Sequence, residues 1–430
     1  MRKMKDSGIP WIGEIPQEWD LIRTKNRFSN HKDIAGEHAD DYERLALTLG
    51  GVIKRPKDDA VGLQPEAFNG YQILRKSELV FKLIDLANVS TSRVGYSPYT
   101  GIVSPAYIVL TPKQKEESRF GEYYFLSLWQ REIFNHMGDD GVRSSLNASD
   151  LLNVPYLAVP FDEQQRIVSF LDTECARIDA VMEQTRASIE EYKKLKQSII
   201  TEAVTKGIRP NRPMKDSGID WIGQIPADWK LCKVRHIGLT QNGISKGGDF
   251  FGEGYPFVSY GDVYRNYSLP SVVQGLIQST EEEQKLYSVE RGDVFFTRTS
   301  ETIEEVGFSS VCEESIPRAT FAGFLIRLRP FDVTLDIEYS KYYFRSNHHR
   351  FYLVKQMNLV TRASLGQQLL KGMPVLIPSK EEQIEIATYL ENKCTEIDTS
   401  IKKKEQLISE LDHFKKSLIF EYVTGKKEVS

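Results

Sequence analysis

Between about residues 163 and 206 the apolar positions fall alternately four and three apart. They are Leu171, Cys175, Ile178, Met182, Ile189, Tyr192, Ile199 and Ala203, with Thr185 and Lys196 as polar interruptions. This spacing predicts the narrow seam of a coiled coil rather than the broad apolar face of a globular helix. One helix over that span would be roughly 60–65 Å long at the standard rise per residue. A seam of that length needs a partner helix, and the chain supplies one. Ile386, Leu390, Cys394, Ile397 and Asp398 repeat the pattern of Ile167, Leu171, Cys175, Ile178 and Asp179 at an offset of 219. The polar breaks repeat as well, Lys404 for Thr185 and Lys415 for Lys196.

The repeat extends beyond the helices. Residues 4–19 and 214–229 agree at twelve of sixteen positions at an offset of 210, sharing the run Trp-Ile-Gly-x-Ile-Pro. Arg143-Ser144-Ser145-Leu146 and Arg362-Ala363-Ser364-Leu365 match at the offset of 219, as do Pro155 and Pro374. The chain is therefore a tandem duplication. Between the matching frames lie interiors of about 20–140 and 230–358 with little likeness to each other. Both carry short strand-like runs: Val103 to Leu110, Gly323 to Leu328, Leu79 to Phe81 and Val294 to Phe296. Aromatic helix-like segments follow, at Glu122 to His136 and Glu338 to Lys355.

The expected architecture is α/β (α+β), with two globular domains joined by a long antiparallel two-helix coiled coil. Domain one is assigned to 1–158, the first helix to 159–208, domain two to 209–376 and the second helix to 377–430. Ser379 and Glu382 after Pro378 form a capping-box pattern, and Asp162 and Gln165 after Pro160 a weaker one. Gly207 and Pro210 stop the first helix, and residues 209–213 make a short stiff linker. The order domain, helix, domain, helix forces the second helix back along the first, with the domains at opposite ends. Cys175 and Cys394 would then be far apart, and an intrachain crosslink between them would contradict the antiparallel arrangement.

Composition narrows the class. The chain has 430 residues, 40% hydrophobic and 27% charged, as in ordinary globular proteins. No apolar run is long enough for a membrane span. The first residues lack an apolar signal region, and a cytoplasmic location is expected. The four cysteines show no metal-site spacing and fit a reducing compartment. The net charge of −4 does not by itself indicate a nucleic-acid partner. Both helical stretches are acidic on balance and the remainder is close to neutral, so any binding surface must come from local clustering of Lys and Arg.

Catalytic signatures are missing: there is no GxxxxGK[ST] loop, no HExxH, no GxGxxG, and no Asn/Asp-Pro-Pro-Tyr/Phe run. Glu283-Gln284-Lys285 matches only the short half of a nuclease pattern. His348-His349, between Arg345 and Arg350, are read as surface residues, since neighbours in a helix do not share a face.

The chain resembles the specificity (S) subunits of type I restriction–modification enzymes. The residues that carry the likeness are Asp6-Ser7-Gly8-Ile9 with Trp11-Ile12-Gly13, Ile15-Pro16 and Trp19, and their second copy at 216–229. Pro160/Glu163-Gln164, Pro378/Glu382-Gln383 and the helix ends near Val204-Thr205-Lys206-Gly207 and Val423-Thr424-Gly425-Lys426 complete it. The resemblance implies two target-recognition domains, each reading half of a bipartite DNA sequence, and helices that set the spacer. It implies a non-catalytic chain held by two modification (M) subunits, which bring S-adenosylmethionine and methylate adenine. Restriction (R) subunits would bring ATP, Mg and cleavage.

Candidate DNA contacts lie on polar, turn-rich loops: Lys54, Arg55 and Lys57; Ser92 and Arg93; Lys246; Tyr260, Tyr264 and Arg265; and Arg298. Arginine can pair with guanine through two hydrogen bonds, whereas Lys, Ser and Thr mainly reach phosphates. Arg143 and Arg362 occupy equivalent repeat positions. Heads that read different sequences should differ in their base readers, so this pair is expected to hold phosphate or to orient each domain. Trp11, Trp19, Trp221 and Trp229 are expected to pack each domain on the helices, whose hydrophilic sides suit M-subunit docking. The competing readings are a coiled-coil scaffold with two protein-binding heads and a stand-alone bivalent DNA-binding regulator.

Overall fold

The computed structural model describes residues 2–59, 66–84, 92–114, 117–137, 145–300, 306–331, 334–356 and 363–429. It divides into two compact units, residues 1–186 with 405–430, and residues 187–404. The long helices run Phe161–Lys206 and Lys380–Val423, 46 and 44 residues.

In the first unit a hairpin, Met4–Asp6 with Glu14–Pro16, leads to Asp20–Arg23, which pairs with Pro155–Ala158. The main sheet is antiparallel, in the order Phe28–Asn30, Ile108–Pro112, Leu79–Phe81, Val94–Tyr96. The helix Glu117–Gln130 covers it with Phe120, Tyr124 and Phe125, which meet Phe28, Phe81 and Tyr156 edge-on or stacked. These rings are fully or almost fully buried and form the core of the head.

The second unit repeats this frame. Met214–Asp216 pairs with Gln224–Pro226, and Lys230–Lys233 with Pro374–Ile377. Its main sheet has the same order: Gly238–Asn242, Leu325–Pro330, Val294–Thr297, Ser309–Val311. It adds a three-stranded sheet of Gly275–Ile277, Phe251–Val258 and Thr320–Phe321. This sheet belongs to the longer interior and has its own apolar cluster around Val258, Val263, Phe295 and Phe321.

The helix seam is largely as the spacing predicts. Leu171, Cys175, Ile178, Met182, Thr185, Ile189 and Ala203 are buried. Tyr192 and Ile199 are only half-buried, and Ile200 is fully buried instead. There the helix leaves a pure helix–helix seam: Ile200, Ala203 and Val204 join Ile225 and Trp229 in the core of the second head. In the first unit Leu171 to Met182 pack with Leu418, Ile419 and Val423. Within each unit, then, the beginning of one long helix lies antiparallel to the end of the other. Lys415 Nζ bonds both oxygens of Asp179 at 2.6 and 2.7 Å, and Lys196 Nζ bonds both of Asp398 at 2.7 and 2.8 Å. The second bond is the first shifted by one repeat, so the matched polar breaks at Lys196 and Lys415 fix the register. Thr185 instead turns its hydroxyl back to Val181 O at 2.7 Å.

Each head is clamped to its helix start by one carboxylate. Trp19 Nε1 donates to Glu163 at 2.9 Å, and Arg2 reaches the same carboxylate at 2.9 Å. Trp229 Nε1 donates to Glu382 at 3.0 Å, and Arg212 joins it at 3.2 Å. Glu382 therefore does not close the expected capping box: Ser379 Oγ accepts its N–H at 3.3 Å, but its side chain turns to Trp229 and Arg212. The other helix ends against the same tryptophan at a left-handed glycine. A Cβ on Gly207 (φ +75°) would lie 3.3 Å from Trp229, and one on Gly425 (φ +68°) 2.9 Å from Trp19.

Three segments differ from the sequence reading. Val103 to Leu110 is two strands in separate sheets, Gly101–Val103 and Ile108–Pro112, because Ser104-Pro105 turns the chain. The segment Glu338 to Lys355 is two helices, Ile337–Tyr343 and Asn347–Gln356, with Ser346 bonding back to Tyr343 O between them. His348 and His349 are buried, not on the surface. Ser346 Oγ lies 2.7 and 3.1 Å from their Nδ1 atoms, and burial pushes His348 down to about 3 and His349 well below its ordinary value. Both imidazoles are neutral packing groups.

Candidate nucleic-acid interface

In the second head, five loops meet at one end of the main sheet, where the central strand finishes at Thr297. Ile244 N donates to Phe321 O at 2.9 Å and Ala322 N to Val258 O at 3.0 Å. Arg298 N donates to Phe324 O at 2.8 Å, and Leu365 N to Arg298 O at 2.6 Å. Thr299–Ser300 pairs with Ala363–Ser364. The short helix Tyr260–Arg265, capped by Ser259 and Asp262, lies beside this edge. Thus Lys246, Tyr260, Tyr264, Arg265 and Arg298 gather from separate parts of the chain around one edge.

Their chemistry differs. Lys246 is paired with Glu283 at 2.6 Å and Gln278 O at 2.8 Å, and it holds the Glu283 carboxyl below its usual range. Glu283 is thereby occupied as a helix cap and ion-pair partner, which gives Glu283-Gln284-Lys285 a structural role. Tyr260 and Tyr264 stack at 5.8 Å, and Tyr264 meets Phe308 edge-on at 5.2 Å. Arg345 and Arg350 stand over the Phe308 ring at 4.8 and 5.1 Å. Arg345 is nearly buried and pins the short helix through the carbonyls of Val263, Tyr264 and Asn266 at 2.8–3.0 Å. Desolvation lowers it to about 10, so it stays charged. Arg265 is exposed and Arg298 half-buried, and neither side chain bonds to another described residue. Phe324, beside Arg298, is 64% exposed. Nothing in the sequence pattern marks Phe324, because its exposure comes from the Ala322–Phe324 turn before the strand.

In the first head Gly51–Lys54 is not a loop but a strand paired with Leu45–Thr48, and the basic residues at and beyond its end are internally neutralised. Lys54 pairs with Glu43 at 2.6 Å, Arg55 with Asp59 at 2.7 Å and Lys57 with Asp40 at 3.2 Å. Ser92 and Arg93 are corrections to the sequence reading. Ser92 is 3% exposed, its hydroxyl held by Val94 O at 2.6 Å, and Arg93 is fully buried. Their side chains offer nothing to a duplex, because the segment feeds directly into the edge strand Val94–Tyr96. Arg143 and Arg362 lie outside the described residues. The residues that follow them do correspond: Leu146 N donates to Leu83 O at 3.0 Å as Leu365 N donates to Arg298 O.

Among the described residues no cluster of three or more His, Cys, Asp or Glu is placed to hold a metal ion. No helix among them is long and apolar enough to cross a membrane.

The type I restriction modification DNA specificity domain family matches residues 55–191 and 227–409. The specificity subunit of the type I restriction enzyme EcoKI from Escherichia coli K12 is 23% identical over 436 residues, covering 96% of this chain and 90% of that one. A putative type I restriction enzyme specificity subunit, MjaX, from Methanocaldococcus jannaschii is 23% identical over 280 residues. That match spans 59% of this chain and 63% of the relative. Among solved structures, a chain from a study of type I R-M complex assembly and conformational transition aligns with a TM-score of 0.71 at 15% identity, over 96% of this chain and 99% of that one. The HsdS subunit of Thermoanaerobacter tengcongensis aligns with a TM-score of 0.50 at 15% identity, over 96% and 98%. With two family matches covering most of its length, and a duplicated head-and-helix frame in both units, this chain belongs to the family of DNA specificity subunits of type I restriction–modification enzymes.

Proposed function

We propose that each head of this chain reads one half of a bipartite, asymmetric DNA target, and that the paired helices set the spacer between the halves. The observation that carries this reading is the division of labour within the duplication. The frame repeats bond for bond, in the Trp–Glu–Arg clamps and the Lys–Asp helix pairs. At the loop ends of the two sheets the backbone bonds correspond but the side chains differ, with buried Leu83 in the first head where half-buried Arg298 stands in the second. Identical mounts with different reading edges suit an asymmetric target, whereas a scaffold binding two copies of one partner would keep its edges alike.

The partners of this reading are double-stranded DNA, two M subunits docked on the hydrophilic sides of the helices, and R subunits, all in the cytoplasm. The chain itself contributes recognition and no catalytic group. S-adenosylmethionine would sit on the M subunits, ATP and Mg on the R subunits, and the complex would methylate adenine at N6 and cleave unmodified DNA. Lys54, Arg55, Lys57, Lys246 and Arg265 serve as phosphate-side contacts in this scheme, their present acid partners exchanging for DNA where they have one. Arg143 and Arg362 take the same role in both heads, and Tyr260 and Tyr264 offer stacked rings at the edge of the second.

Sequencing of methylated adenines in a host with and without this chain, each with its M subunit, tests the proposal. A two-part motif that appears only with the chain is the expected result. Methylation independent of the chain, or binding to DNA that random duplex competes away equally, would refute it.

A further inference from the structure

The two heads correspond position by position at the loop ends of their main sheets, and one position there differs in kind. Leu79 and Val294 hold the same place in register: Leu79 faces Leu110 and Tyr96, and Val294 faces Leu328 and Val311. Three residues on, Lys82 N donates to Arg93 O at 3.0 Å and Thr297 N to Phe308 O at 2.8 Å. One further on, Leu83 and Arg298 each accept from the leucine that ends the repeated Arg-x-Ser-Leu motif, Leu146 and Leu365. Leu83 and Arg298 are therefore the same backbone position. Leu83 is 1% exposed and belongs to the core of the first head, whereas Arg298 is half-buried.

Arg298 is also unusual within its own head. Arg318 is held by Gln284 and Tyr255, Arg327 by Gln241 and Ser288, and Arg329 by Asp293. Arg265 has no partner among the described residues, but it sits at the exposed end of a short helix. Arg298 has no side-chain partner among them either, yet its backbone is fixed on both sides, by Phe324 O and by Leu365 N. The preceding Thr297 is fully buried, and its Oγ accepts from Phe308 N at 2.9 Å. A cation on a loose tether suits a phosphate. A guanidinium on a rigid mount, at the end of a strand and among converging loops, suits a bidentate contact that demands a fixed direction.

We propose that Arg298 is a base-reading residue of the second head. Its guanidinium takes the O6 and N7 atoms of one guanine in the major groove, where the first head has the buried Leu83 at the same backbone position. The inference rests on the DNA-reading function proposed above and assigns one determinant of it.

The test uses the full chain with its M subunits. Genomes methylated by the wild type and by Arg298→Ala, Arg298→Lys and Arg298→Leu complexes are sequenced for modified adenine. The expected result is relaxation at a single G·C position in one half of the motif, with the other half and the spacer unchanged. Competition between cognate and substituted duplexes should show a discrimination at that position about 5–150-fold lower than wild type. Arg298→Lys decides between base and phosphate, because it keeps the charge and loses the two-pronged fork. Retained discrimination in the lysine variant, an even loss of binding over all sequences, or an unchanged motif in Arg298→Ala each overturns the proposal. Should Arg298→Ala fail to fold, the lysine variant decides alone. If the wild-type complex produces no two-part motif at all, the DNA-reading function has failed, which is distinct from the failure of Arg298.

Discussion

Replacing Glu382 with alanine should unfasten the second head from its helix. The carboxylate is 1% exposed and serves two partners, Trp229 Nε1 at 3.0 Å and the Arg212 guanidinium. Trp229 is itself 1% exposed, so its indole N–H would be left buried without an acceptor, a loss of about 1–3 kcal/mol. The charge-assisted bond to Arg212 is worth about 1.5–3 kcal/mol. Arg212 would not be stranded, because Asp228 still holds it at 2.7 Å. The total should therefore fall at the lower end of the ~3–5 kcal/mol typical of breaking a buried ion pair, about 3 kcal/mol. For a unit of this size that lowers the melting temperature by about 6–12 °C.

Chemical denaturation of Glu382→Ala, Glu382→Gln and Arg212→Ala, with the Arg212→Ala/Glu382→Ala double variant, separates the parts. Glutamine keeps an acceptor for Trp229 and should lose about half as much as alanine. The double-variant cycle should return a coupling of more than ~1 kcal/mol. A loss below ~1 kcal/mol for Glu382→Ala, or equal losses for the alanine and glutamine variants, would refute the clamp. The same series at Glu163, Arg2 and Trp19 should reproduce the pattern in the first unit.

Four further outcomes follow from the same structure. Gly207→Ala should cost about 1–3 kcal/mol by denaturation, since the left-handed backbone is strained for alanine and the new Cβ meets Arg212 and Trp229. Acid should destabilise the second unit: His348 and His349 stay neutral when folded but titrate near ~6.5 when unfolded. The unfolded state then takes up protons first, so stability present above pH ~6.5 is lost as pH falls toward 3, by at most ~1.4 kcal/mol per pH unit for each histidine; His348→Gln with His349→Gln should flatten the profile in a pH series of melts. The thiols of Cys175 and Cys394, both pushed up by burial to about 11, should resist a thiol reagent at pH 8 until the chain unfolds. Exchanging charges at one helix pair, Lys196→Asp with Asp398→Lys, should restore most of the small loss, roughly 0.5 kcal/mol, caused by either change alone.

The long helices were legible because a coiled-coil seam is written in local spacing. The antiparallel register was legible because the duplication matched Lys196 to Lys415 and Asp179 to Asp398. The clamp was half legible. The capping-box pattern at Ser379 marked the helix start, but the destination of the Glu382 side chain depends on Trp229 and Arg212, more than 150 residues away. Burial was the least legible property. Ser92-Arg93 reads as a polar loop, yet it enters an edge strand, and His348-His349 reads as a surface pair on a helix, yet it lies beneath Tyr343 and Phe344. The basic stretch at Lys54–Lys57 is polar as expected. Its neutralisation by Glu43, Asp59 and Asp40 depends on packing that the local sequence does not encode.

Along a single sheet the head keeps the residues that bear on the helix apart from its loop end. In the second unit the Leu325–Pro330 strand faces the helix start at its C-terminal end. Just beyond it Asp336 N–H donates to Gln383 at 2.6 Å, and Gln383 Nε2 donates to Thr334 O at 3.1 Å. At its other end Leu325 faces Thr297, and the loops around Arg298 begin. The Trp229–Glu382 clamp and the Gln383 contacts belong to the first end; Arg298, Phe324 and the Ile244 loop belong to the second. Substitutions at the loop end therefore leave the clamp intact, and substitutions at the clamp leave the loop end with its own hydrogen bonds. This geometry accounts for the way the duplication has aged. The clamp and helix-pair residues repeat because they bear on the helices, where a change costs stability in the whole unit. At the far end of the strands the side chain has diverged, Leu83 in one head and Arg298 in the other, while the backbone bond from Leu146 or Leu365 is kept.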